Sequence, residues 1–163
     1  MEENNRQELV QEIFRLLTRA KLTIATAESC TGGYLSYLLT SVPGSSTFYR
    51  YGMVVYSDEA KATLLAIPED LIKSYGAVSE EVAESMAVNI RKILKTDIGL
   101  SITGIAGPNG GSYTKPVGTV YIGLDLFGQM YHKKCNFEAH ERNDIRTVSA
   151  YSALEFLFKQ LSH

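Results

Sequence analysis

Five short runs rich in β-branched and aromatic residues alternate with amphipathic helical stripes along this chain, and that alternation restricts it to a sheet covered by helices. The first stripe, residues 4–19, carries Leu9, Val10, Ile13, Phe14, Leu16 and Leu17 at helical spacing. A strand over 22–26 follows, then a helix over 31–39, a turn over 41–46 and a strand over 48–56. Ser57, Asp58 and Glu59 supply a cap and an acidic first turn for a helix ending near Leu65. Residues 68–75 read as a short helix stopped by Gly76, Ser79 opens a longer one to Leu94, and 98–103 is an apolar strand. Residues 104–118 hold too much glycine and proline for a regular element. Strands over 117–126 and 129–137 form a hairpin about Phe127-Gly128, and 140–161 is a closing helix. The expected fold is α/β: a three-layer α/β/α single domain over residues 1–163, with a mixed sheet of about five strands.

With 45% hydrophobic and 21% charged residues, 163 residues suffice for a substantial core. The formal net charge of -2 speaks against a protein built around nucleic-acid backbones, so no nucleic-acid partner is expected. No apolar run reaches the roughly 18 residues needed to cross a bilayer, and the stretch from Met1 lacks the basic-then-apolar order of a signal peptide. A cytoplasmic protein without membrane attachment is expected. Cys30 and Cys135 are too few and too far apart for a disulfide framework or a thiolate zinc site. His132, His140 and His163 form no ligand-spaced pair, so no metal is expected. Cys30, beside a serine on an alternating strand exit, reads as a small buried hydrophobe whose thiol points elsewhere.

Four constellations can carry chemistry, and each has a structural alternative. Ser29 with Thr31, Gly32 and Gly33 stands where a strand becomes a helix. Unpartnered N–H groups and the positive end of the helix dipole can hold a phosphate or an oxyanion there, yet these residues are equally at home as a helix cap. Lys61 falls near the first turn of the helix after Tyr56. Partial burial and the helix dipole lower a lysine pKa and leave an amine able to take a serine proton; the alternative is a solvated lysine beside Asp58 or Glu59. The run from Thr103 through Gly104, Ala106 and Gly107 begins at the carboxyl end of a buried strand, where open α/β sheets bind ligands, or merely turns the chain. Arg142 and Arg146, four apart, can grip an anion together or pair with Glu141 and Asp144.

In order along the chain stand Ala27-Glu-Ser-Cys-Thr-Gly-Gly, Val55-Tyr-Ser-Asp-Glu-Ala-Lys61, Gly76-Ala-Val-Ser, Ser101-Ile-Thr-Gly-Ile-Ala-Gly-Pro and Lys115-Pro-Val-Gly. Together they resemble the C-terminal domain of the competence-damage-inducible protein CinA, a family that includes nicotinamide-nucleotide amidohydrolases. The resemblance runs from about Leu9 to Leu161. It implies deamidation of nicotinamide mononucleotide to the nicotinate nucleotide and ammonia, without metal or organic cofactor. Ser29 would be the nucleophile, Lys61 its general base and Tyr56 an assistant in proton transfer or positioning. An acyl-enzyme would form and be released by water. Thr103, Gly104, Ala106 and Gly107 would line the ribose and phosphate pocket, and Arg142 or Arg146 would neutralise the phosphate. The N-terminal molybdopterin-binding-like domain carried by longer relatives is not expected here. Asp58 stands where Asn is frequent in the family, and Asn109-Gly-Gly-Ser-Tyr-Thr replaces a more uniformly glycine-rich loop. The competing implication is a module of the same family that binds a nucleotide or a partner without turnover. A homo-oligomer, buried through the Tyr-rich strand 48–56 or the closing helix, is also expected.

Overall fold

A computed structural model describes residues 3–138 and 141–162. Strands β1 (Ile24–Glu28), β2 (Tyr49–Val54), β3 (Ile98–Gly104), β4 (Thr119–Leu126) and β5 (Gln129–Asn136) form one sheet in the order β2-β1-β3-β4-β5. β1 runs parallel to both β2 and β3, whereas β3–β4 and β4–β5 are antiparallel. The sheet is thus mixed, as the alternation of elements requires. Helices α1 (Glu3–Ala20), α2 (Tyr34–Thr40), α3 (Asp58–Leu65), α4 (Glu69–Tyr75), α5 (Glu80–Leu94) and α6 (Arg142–Leu161) complete the chain. The expected start of the last helix at His140 lies outside the described residues, as do Met1 and His163. Among the described residues, no helix is long and apolar enough to cross a membrane.

The two faces of the sheet are covered by different helices. Val10, Ile13, Leu35, Leu39, Leu154 and Leu157 from α1, α2 and α6 meet Ile24, Leu100 and Ile122 in the larger core. On the opposite face, Leu65, Ile72, Val82, Met86 and Ile90 from α3, α4 and α5 meet Ala25 and Ala27. β1 alternates accordingly, and its residue Glu28 turns toward the α2 side, where it is fully buried.

Where α5 crosses β3 and β4, the second face has almost no room for side chains. A methyl group at Gly99 would collide with the Ala87 carbonyl, and one at Gly123 with the Ala83 carbonyl, both on α5. Between them the Ser101 hydroxyl donates to Ala83 O at 2.6 Å. Just before α5 begins, Ala77 O accepts from the Thr103 hydroxyl at 2.8 Å. Small residues on β3 and β4 therefore let α5 lie directly on the strands, and polar side chains bond the two surfaces together. The loop that precedes α5 is held over the carboxyl end of β3 by the same device.

Gly123→Ala should consequently destabilise the protein by about 2–3 kcal/mol, as overpacking against backbone does. Equilibrium urea unfolding at constant m-value measures this, and an unchanged midpoint would show that α5 can lift off at no cost.

Candidate active site

β1 ends in a carboxylate that the following turn cannot do without. Glu28 Oε2 accepts from the N–H groups of Gly33 and Leu35, each at 3.0 Å, and Oε1 from the Ser36 N–H at 2.8 Å and hydroxyl at 2.6 Å. One side chain thus satisfies the open end of α2, and the helix terminus in turn compensates a buried carboxylate. The helix begins at Tyr34 and not at Thr31, because Gly32 and Gly33 take left-handed φ values of 58° and 94° that a right-handed helix cannot continue. This corrects the expectation of an open, anion-binding helix mouth beside Ser29. Those amides belong to Glu28.

Ser29 is thereby left to face the other way. Its N–H donates to Ile102 O at 2.9 Å, which carries the β1–β3 pairing one residue further, and it is 7% exposed. Lys61 meets it from the α3 side. The Ser57 hydroxyl caps α3 by accepting from Ala60 N–H at 3.0 Å, and this fixes the first turn from which Lys61 reaches back under the sheet end. Lys61 is 1% exposed, and its Nζ lies 3.2 Å from Ser29 Oγ and 3.4 Å from the Tyr56 carbonyl oxygen. Desolvation by burial lowers the Lys61 pKa; Asp58, with Oδ1 4.0 Å away, and Cys30 oppose that fall. The solvated alternative for this lysine does not describe the structure.

A cleft of about 240 Å³ opens beside this pair, lined by Ser29, Lys61, Tyr56, Asp58, Arg142, the last residues of β3, Thr103 and Gly104, and the loop residues Ala106, Gly107 and Asn109. The Thr103 hydroxyl proton is committed to Ala77 O, so its oxygen can only accept. Tyr56 stands two residues past the end of β2, and its hydroxyl oxygen accepts from Arg142 Nη2 at 2.6 Å. Arg142 Nη1 donates to Gly107 O at 2.5 Å, so this one guanidinium bridges the glycine-rich loop and the tyrosine.

Several expected members do not line the cleft. Arg146 diverges from Arg142 and donates to the Thr31 carbonyl through Nε at 3.3 Å and Nη2 at 3.0 Å. Thr31, Gly32 and Gly33 form the turn that Arg146 and Glu28 hold, and they stand outside the lining. Cys30, in contrast, does line the cleft, because strand alternation ceases in the turn closed by Gly32 N–H on Ser29 O at 3.1 Å. Burial pushes its thiol pKa up to about 12, which keeps it neutral and a poor nucleophile. Sequence reasoning passed over Glu28, although an acid at the end of an apolar strand is itself a signal that buried donors wait for it. Away from the cleft, His132 of β5 meets Glu80 and Glu84 of α5 at 3.3 and 2.9 Å, a grouping of possible metal ligands that sequence spacing does not reveal.

Residues 6–161 match the profile of the CinA C-terminal domain. A CinA-like protein of Thermotoga neapolitana is 48% identical over 158 residues, covering 96% of this chain and 38% of that protein. A CinA-like protein of Citrifermentans bemidjiense is 44% identical over 157 residues, covering 96% and 38%. The chain therefore spans little more than a third of the length of these curated relatives. Among solved structures, the competence damage-inducible protein A of Klebsiella pneumoniae superposes with a TM-score of 0.93 at 34% identity, covering 97% of this chain and 98% of that one. The competence/damage inducible protein of Agrobacterium tumefaciens gives 0.93 at 34% identity, covering 97% and 96%.

The buried amine has a consequence for stability. Because the folded pKa of Lys61 lies below its ordinary value, the unfolded chain binds more protons between the two values, and stability rises with pH across that window. Burial of the charged form is penalised in full below it. Lys61→Met should hence raise the unfolding free energy near neutral pH by about 1–2 kcal/mol, with the advantage fading as pH climbs toward 10.5. Thermal unfolding of both proteins across that pH range tests this, and a pH-independent difference would contradict a depressed lysine pKa.

Proposed function

The chain belongs to the CinA C-terminal domain family, and from that membership we propose that it hydrolyses the carboxamide of a nicotinamide nucleotide through a Ser29–Lys61 pair. The observation that carries this reading is the 3.2 Å approach of a buried Lys61 amine to the Ser29 hydroxyl in an accessible cleft. A protonated Nζ donates to Oγ there; a deprotonated Nζ in the same place accepts the hydroxyl proton. Burial shifts Lys61 toward the deprotonated form.

In the first half-reaction, Ser29 Oγ attacks the carboxamide carbon while Lys61 takes the hydroxyl proton. A tetrahedral oxyanion forms. Glu28 holds the α2 amides, so stabilisation comes from the cleft side. Tyr56 suits this task, because its oxygen already accepts from Arg142 and its own proton remains available to donate. Lys61 then returns its proton to the leaving nitrogen, ammonia departs, and an ester to Ser29 remains. Water attacks that ester with the same amine as base, the acid is released, and the serine is regenerated. Arg142, anchored to two neutral acceptors and facing the cleft, supplies the positive charge for the nucleotide phosphate.

Purified protein should release ammonia from nicotinamide mononucleotide, with kcat/KM rising with pH as Lys61 loses its proton. Ser29→Ala and Lys61→Ala should each lower kcat by at least about 10³-fold while leaving the thermal transition cooperative. Saturable nucleotide binding by the wild type without ammonia release would instead make this a binding module.

A further inference from the structure

We propose that Asp58 makes the cleft selective for a substrate whose reacting ring carries a positive charge, the class of N-substituted pyridinium carboxamides. The inference rests on the Ser29 reading for the place where the carboxamide sits. Asp58 lines the cleft with its side chain 64% exposed, and its carboxylate approaches Lys61 Nζ at 4.0 Å. Since that nitrogen is itself 3.2 Å from Ser29 Oγ, the carboxylate lies within about 7 Å of the attacking atom, a range over which charges in a partly dry cleft still interact. In a pyridine-3-carboxamide the ring nitrogen is meta to the carbon bearing the amide. A ring whose amide carbon is bonded to Oγ therefore keeps its charge close to that atom, within the range of the Asp58 carboxylate.

The chemistry of the base strengthens the case. Among the described residues, the ion pair recorded for Asp58 is with Lys61. The reaction requires Lys61 to be neutral, and in that state the carboxylate has lost this counter-charge and is open to another cation. Arg142, the other cleft-lining cation, is engaged on the Gly107 side with that residue's carbonyl and with Tyr56. A ligand that pairs a cationic ring with an anionic phosphate matches the signs of Asp58 and Arg142 together.

The test separates ring charge from shape. Oxidised nicotinamide mononucleotide carries a pyridinium; its dihydro form has the same ribose, phosphate and amide on a neutral ring. Calorimetry on Ser29→Ala protein, which binds without turnover, gives the affinity for each probe with Asp58 in place and with Asp58→Asn. Asp58→Asn should weaken binding of the oxidised form by about 5- to 10-fold and leave the reduced form within about twofold. Asp58→Glu should restore most of the preference, and added salt should erode it in the Asp58 protein alone. Equal loss for both probes, or no loss for either, overturns the proposal. Because this measurement needs no hydrolysis, a charge preference in a protein that never releases ammonia would refute the amidase and leave the inference standing. Turnover that Asp58→Asn leaves equally selective would do the reverse.

Discussion

The Glu28 carboxylate is the interaction on which the site depends. It closes three backbone amides and one hydroxyl at the start of α2, so the chain can leave β1, make a glycine turn and enter a helix with these four donors satisfied. That turn then fixes the next residue, Ser29, whose amide remains in the β1–β3 ladder. A serine on a freely moving loop would lose most of the benefit of a nearby base, since proton transfer needs donor and acceptor held at hydrogen-bond distance. Here the rigidity comes from the strand below and from a buried acid beside it, and Arg146 adds a second fastening through the Thr31 carbonyl.

Opposed to this is a buried cation that gains little from its setting. Lys61 has one carboxylate at the outer limit of an ion pair and two neutral oxygen partners. Such an arrangement favours the uncharged amine, at a cost to the fold that the packing of α5 on the sheet can bear. The two ionisable groups flanking Ser29 are thus treated oppositely: Glu28 is surrounded by donors that stabilise its charge, while Lys61 is denied the solvent that would stabilise its own.

Most of the architecture was legible because periodicity changes so clearly between elements. Among the described residues, the five strands and six helices follow the expected order, with boundaries shifted by a few residues at most, and the hairpin turns at Phe127-Gly128 as expected. Strand order was not legible, since nothing local in residues 98–104 says that they pair with a strand some 70 positions earlier. The same limit applies at the site. Arg142 and Arg146 share a helical face, yet one reaches the cleft and the other the glycine turn, because one helical turn along α6 sets them beside different carbonyls, those of Gly107 and Thr31. The α2 start was misplaced for a different reason. Thr31 and two glycines look like a cap, and the true capping group lies upstream, in a strand that reads as apolar.

β3 lies at the centre of the sheet and separates β1 from β4. Its parallel pairing with β1 joins segments some 70 positions apart, a long-range closure whose loop entropy must be met before the contacts reward it. Ser29 takes its backbone partner from β3, and Thr103 on β3 fastens the loop before α5. Ser29 and Lys61 both precede β3 in sequence, so the strand that supports the pair comes from a later part of the chain. The 3.2 Å approach of Lys61 to Ser29 therefore depends on a strand that follows both residues in the chain, and the pairing is a property of the assembled sheet rather than of its own two segments.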